Sequence, residues 1–177
     1  MVVVHANDPT TRFLSKLYEL REDVTCLITE SNTNSDVIRK IREADKVMML
    51  GHGTEDGLFS ITKEGKTKRL MIYNRHVGFL RNKECIGIWC YANKFAEEYK
   101  LHGLFSGMII SELDEAQEKD VSTTQEEIDR EMIKFVIRLR DCIARYGLKE
   151  TPQRMKELDD VKSELTRFNY SNLFYYE

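Results

Sequence analysis

Long apolar runs are missing from this sequence. None approaches the ~20 residues that span a bilayer. The opening MVVVHANDP has too short an apolar stretch, with no basic region before it, to read as a signal peptide. Neither sign of charge dominates. The 27 basic and 30 acidic residues leave a formal net charge of −3, which argues against a nucleic-acid partner. The cysteines at 26, 85, 90 and 142 lack metal-ligand spacing and three sit in apolar segments, so a reducing cytoplasm is the expected compartment. His5, His76 and His102 are isolated, which leaves no zinc site, and His76 and His102 read as surface or helix-end residues. No GxGxxG or P-loop follows the first apolar run. No metal, cofactor or membrane is therefore expected. Repeats, low-complexity tracts and linkers are absent as well.

What remains is the composition of an ordinary folded domain. Of 177 residues, 41% are hydrophobic and 32% charged, enough for one core of normal size. The chain reads as one domain, 1–177, with a core over 1–116 and a C-terminal helical part over 122–177.

VVVH at 2–5 reads as a strand ended by Asn7, Asp8 and Pro9. Residues 10–21 have helical spacing, with Phe13 and Leu17 on one face. VTCLIT at 24–29 is a second β-branched run, and SNTNS at 31–35 starts a helix that carries Val37, Ile38, Ile41 and Ala44. KVMMLGHG at 46–53 reads as a strand ending in His52. Strands alternating with helices of this length predict right-handed crossovers and an α/β, doubly wound, mainly parallel sheet.

Beyond Gly57, LFSIT and TKRLMIY predict a β-hairpin turning at Gly65, and Asn74–Leu80 a short helix. KECIGIWC at 83–90 is the next strand. Residues 93–101 read as a helix capped by Gly103, 104–111 as another strand, and SELDEAQEKD as an acidic loop. Thr123 with Glu126 forms a capping pattern for a long amphipathic helix through Arg145. Its apolar stripe contains Ile128, Met132, Phe135, Val136, Leu139 and Ile143. Thr151-Pro152 marks a further helix start, and the aromatic end FNYSNLFYYE folds back or meets a partner.

Two of these strands stop at reactive side chains, His52 and Cys90. Open α/β sheets bind ligands beyond the carboxyl ends of their strands. Neighbouring parallel strands ~5 Å apart would hold the imidazole and the thiol over one crevice. That arrangement suits a histidine-assisted cysteine nucleophile. An α/β-hydrolase or amidotransferase elbow would want small residues on both sides of the nucleophile and histidine later in the chain. Here positions 88 and 92 are Ile and Ala, and His52 comes first. Taken one at a time, a strand-end cysteine is often only a small hydrophobe, as Cys26, Cys85 and Cys142 are read to be.

His-Gly after an apolar strand, then a hairpin, a short helix and a second apolar strand ending in cysteine, resembles the clan CD cysteine peptidases. These include the caspases, gingipains, clostripain and CHAT-type proteases. The similarity runs from Lys46 to Ala116, and His52 precedes Cys90 by 38 residues (90 − 52). The resemblance implies a caspase-like fold and a cysteine endopeptidase. Cys90 would be its nucleophile, His52 its general base, and the backbone N–H groups of Gly53 and Cys90 its oxyanion hole. It also implies a protein or peptide substrate, and control by a regulatory protein or small-molecule activator. A catalytically silent caspase-like binding module is the alternative. Acidic residues in the loops beside the crevice, Asp8, Glu112, Asp114 and Glu115, point to cleavage after a basic residue.

Overall fold

The computed structural model describes residues 1–6, 8–61 and 68–177. In chain order its strands are β1 (Val2–His5), β2 (Cys26–Ile28), β3 (Lys46–Leu50), β4 (His52–Thr54), β5 (Gly57–Ile61), β6 (Lys68–Ile72), β7 (Glu84–Ile88), β8 (Gly103–Ser106) and β9 (Leu173–Tyr176). Six of them form one sheet in the order β2-β1-β3-β7-β8-β9, parallel except at the β8–β9 edge. The other three, β4, β5 and β6, make a small antiparallel sheet.

The central strands are almost wholly apolar because both faces of the sheet are covered. One register row joins Val3, Met48, Ile86 and Leu104, and all four lie in the same core. That core is shared with the 3₁₀ helix Pro9–Leu17, with α5 (Gln125–Glu157) and with α6 (Glu164–Ser171). The alternate residues Val4, Met49 and Phe105 face the other way, against α1 (Asn34–Glu43), α2 (Val77–Leu80) and α3 (Ala92–Tyr99). Helices thus cover both faces, as doubly wound topology requires. The stripe Ile128, Met132, Phe135, Val136, Leu139 and Ile143 is buried on the sheet. The aromatic tail folds back as β9, pairing Tyr175 with Leu104.

Several boundaries differ from the sequence expectation. Residues 9–17 form a 3₁₀ rather than an α-helix, started by Pro9 and by the Asp8 carboxylate accepting from Thr10 N at 2.9 Å. The strand expected over 104–111 ends at Ser106, because Met108, Ile109 and Ile110 are apolar through burial and not through pairing. The acidic stretch expected as a loop contains α4 (Leu113–Glu118). Lys100, in left-handed conformation, caps α3, whereas Gly103 already opens β8. The cap of α5 is Thr124, whose hydroxyl accepts from Glu127 N, one residue beyond the Thr123–Glu126 reading. α5 runs on past Arg145 and breaks at Gly147, upstream of Thr151-Pro152. His76 is fully buried, its Nδ1 accepting from Tyr73 N. The turn at Gly65 and the residue Asn7 lie outside the described residues. No helix among the described residues is long and apolar enough to cross a membrane.

Candidate active site

In the order β2-β1-β3 the chain leaves β1 in one direction and returns to its other side, so a crevice opens beyond the carboxyl ends of β1 and β3. Asp8 and Thr10 follow β1, His52 follows β3, and Cys90 follows β7, the neighbour of β3 in register.

His52 does not end β3. Gly51, at φ +143°, turns the chain out of the main sheet, and His52 opens β4. A side chain at position 51 would be strained in that conformation. The imidazole stacks on Phe59 at 6.3 Å between ring centroids. Its Nε2 lies 2.7 Å from Thr10 Oγ1 and 3.6 Å from Asp8 Oδ2. The Thr10 hydroxyl donates to Asp8 Oδ1 at 2.8 Å, so toward the ring it acts as an acceptor. This network assigns the proton of neutral His52 to Nε2 and leaves Nδ1 as the free base.

Cys90 lies two residues past the end of β7. Its Sγ donates to Ile109 O at 3.8 Å and faces Glu115 Oε1 at 3.9 Å. Burial, followed by the charge of Glu115, pushes the thiol up to about 11. Desolvation and a like charge both oppose the thiolate.

His52 and Cys90 line one cavity of ≈ 30 Å³, together with Phe13, Trp89, Ile109 and Ser111. That is room for one or two water molecules.

Gly53, in β4, pairs with Leu58 of β5, and its Cα lies against the indole of Trp89. A Cβ there would stand 1.8 Å from Trp89 Cδ1, so close packing alone demands glycine. The indole N–H donates to Thr54 O at 3.1 Å, which locks the ring in place.

Among the acidic residues, Asp8 is buried and committed to Thr10 and His52, which places it behind the imidazole. Glu112 and Asp114 are exposed at the start of α4. The acid that faces the thiol is Glu115. Its Oε2 accepts from Ser111 N at 2.7 Å, Ser111 Oγ at 3.1 Å and Glu112 N at 3.1 Å. Sequence reasoning placed Glu115 in an acidic loop beside the crevice, without setting it against Cys90, and passed over Thr10. The signal for Glu115 was a serine followed at short spacing by an acid at a helix start. For Thr10 it was a hydroxyl two residues after a capping aspartate. Among the described residues no group of three or more His, Cys, Asp or Glu is placed to hold a metal ion. No family model matches the chain, and the curated proteins contain no match to it.

Proposed function

We propose that this protein is a cysteine endopeptidase of caspase-like, clan CD type, with Cys90 as nucleophile and His52 as base. The observation that carries the reading is the convergence of His52 and Cys90, from β3 and its parallel neighbour β7, on one cavity. The Asp8–Thr10–His52 chain supports it, because it leaves Nδ1 free to take a proton.

In the reaction, His52 Nδ1 removes the Sγ proton and the thiolate attacks the scissile carbonyl carbon. The oxyanion is met by backbone N–H groups, with Gly53 and Cys90 as the candidates. The C–N bond then breaks as His52 returns its proton to the leaving amine. Water hydrolyses the thioester to restore the thiol. Substrates are proteins or peptides, and the compartment is the cytoplasm. With Asp8 occupied by His52, exposed Glu112 and Asp114 are left to attract a basic residue before the cleaved bond.

A second reading is a catalytically silent module of the same architecture. One observation favours it: a thiol pushed up to about 11 holds almost no thiolate at neutral pH. A thiol-directed peptide probe separates the two. A working dyad is labelled at Cys90 and loses labelling in His52→Ala, and Cys90→Ala and His52→Ala each abolish peptide hydrolysis without unfolding. Residues that act as a unit lose activity non-additively, so the double variant is no worse than either single one. Full turnover in Cys90→Ala would remove it as the nucleophile.

A further inference from the structure

From the narrow crevice beside Cys90 and the carboxylate set against its thiol, we infer that the segment Ser111–Glu118 is an inhibitory latch. Glu115 keeps Cys90 in its resting thiol form until α4 swings away. The inference concerns regulation of the same site and rests on the reading of Cys90 as nucleophile.

Three observations carry it. First, Glu115 bridges the two partners of the latch. One oxygen holds the backbone at Ser111 and Glu112, and the other faces Sγ at 3.9 Å. Second, Ser111 and the neighbouring Ile109 line and narrow a crevice of ≈ 30 Å³, which is too small to seat a substrate carbonyl with its flanking residues. Third, the hold on the chain changes abruptly at this point. Ile110 is clamped from both sides by Asn169, with Ile110 N donating to Oδ1 at 2.8 Å and Nδ2 donating to Ile110 O at 2.9 Å. Beyond it, α4 is six residues long, buries only Ala116 fully and rests Leu113 partly buried on the core. Side-chain anchors reach it through Leu113 N to Gln125 Oε1 and through Lys119 Nζ to Tyr91 Oη. A hinge therefore falls between a rigid Ile110 and a lightly held α4.

Outward movement removes Glu115 from Sγ, admits solvent and widens the cavity beside His52. The charged and titratable groups around Sγ are Glu115 and Glu112 from the latch and His52 across the cavity, with Asp8 behind the ring. Of these, only the two latch carboxylates leave when α4 moves. The device converts a half-buried thiol facing a carboxylate into one that His52 can deprotonate.

The test is alkylation of the full-length protein by iodoacetamide, followed at the Cys90 peptide by mass spectrometry across pH 6–10. Glu115→Gln keeps the size of the side chain and removes its charge. Its alkylation midpoint falls to lower pH, and the rate at pH 8 rises roughly tenfold, which is one pH unit of midpoint. Should Glu115→Gln fail to fold, Glu115→Asp retains a capping carboxylate while drawing it back from Sγ, and it shows a smaller shift in the same direction. Profiles of both variants superposing on the parent would overturn the latch. Faster alkylation in Glu115→Gln with no peptide cleaved by either protein upholds the latch and rejects the peptidase reading.

Discussion

Thr10 Oγ1 stands 2.7 Å from His52 Nε2, bridging an imidazole and a carboxylate that are 3.6 Å apart at their nearest atoms. The hydroxyl accepts a hydrogen bond from the ring and donates its own to Asp8 Oδ1, so one small side chain fixes the tautomer of His52.

Removing that bridge should therefore alter proton transfer more than stability. Thr10→Val keeps the shape and deletes the hydroxyl. We expect peptide turnover to fall by about 10²-fold, the size of a general-base contribution. KM should change little, and Thr10→Ser should recover most of the rate. Asp8→Asn should impair turnover as well, because the amide oxygen can still accept from Thr10 but the negative charge behind His52 is lost. Ring ¹⁵N chemical shifts of His52 report the tautomer directly. A ring that stays Nε2-protonated in Thr10→Val would reject the relay.

Gly53→Ala tests how tightly the site is built. Its Cβ would meet Trp89 Cδ1 at 1.8 Å, and Trp89 is itself buried and hydrogen-bonded to Thr54 O. The ring cannot give way cheaply, and we expect a loss of roughly 1–3 kcal/mol, as for overpacked cores. Trp89 is the single tryptophan of the chain, so urea unfolding followed by its fluorescence reads both the midpoint and the local environment. An unchanged midpoint and emission maximum would mean that the indole is loosely seated.

The sheet was legible in the sequence where burial and pairing coincide. β1, β3 and β7 are apolar on both faces because helices cover both, and such runs announce themselves. The stripe of α5 was legible for the same reason. Where burial and pairing part, the reading slips: Met108–Ile110 is as apolar as a strand but packs without a ladder. α4 escaped because its acidic first turn, which a helix N-terminus favours, looks in sequence like a solvated loop. The site was legible to the extent that His52 and Cys90 each follow a recognisable strand. Thr10 was not, since its role depends on a partner 42 positions away in the chain. Nor was the thiol's resting state, because burial and Glu115 act on it through space.

Alkali should weaken the fold through its thiols. Cys85 is fully buried, and desolvation pushes it up to about 12, while Cys90 stands at about 11. Each keeps its proton in the folded state above the unfolded thiol value of ~8.5. Stability is thus fully present below pH ~8.5 and is lost as pH rises toward the folded values, by at most ~1.4 kcal/mol per pH unit for each thiol. Urea midpoints at pH 8 and pH 10 should show the decline. Cys85→Ala should be less stable at both pH values yet lose less between them. An equal loss in the variant would assign the alkaline limb to other groups, buried Tyr170 among them.

The last expectation concerns what the C-terminal part does for the sheet. Ending the chain after Asp120 removes α5, α6 and β9. The face carrying Val3, Met48, Leu50, Ile86, Ile88 and Leu104 would then lose the helix stripe that buries it. The same cut leaves β8 as an open edge, because Leu104 and Phe105 lose their partners Tyr175 and Phe174. It also frees Ile110 from Asn169, so the fixed end of the latch goes with it. A bare apolar face next to an unpaired edge strand is an aggregation template. Residues 1–120 should therefore be insoluble on expression. Removing β9 alone, by ending after Asn172, should be milder, since α5 still covers the face and only the edge opens. A soluble 1–120 fragment with intact peptide turnover would refute the dependence and make the C-terminal helices an appendage. The relative solubility of the two truncations separates the effect of the face from that of the edge.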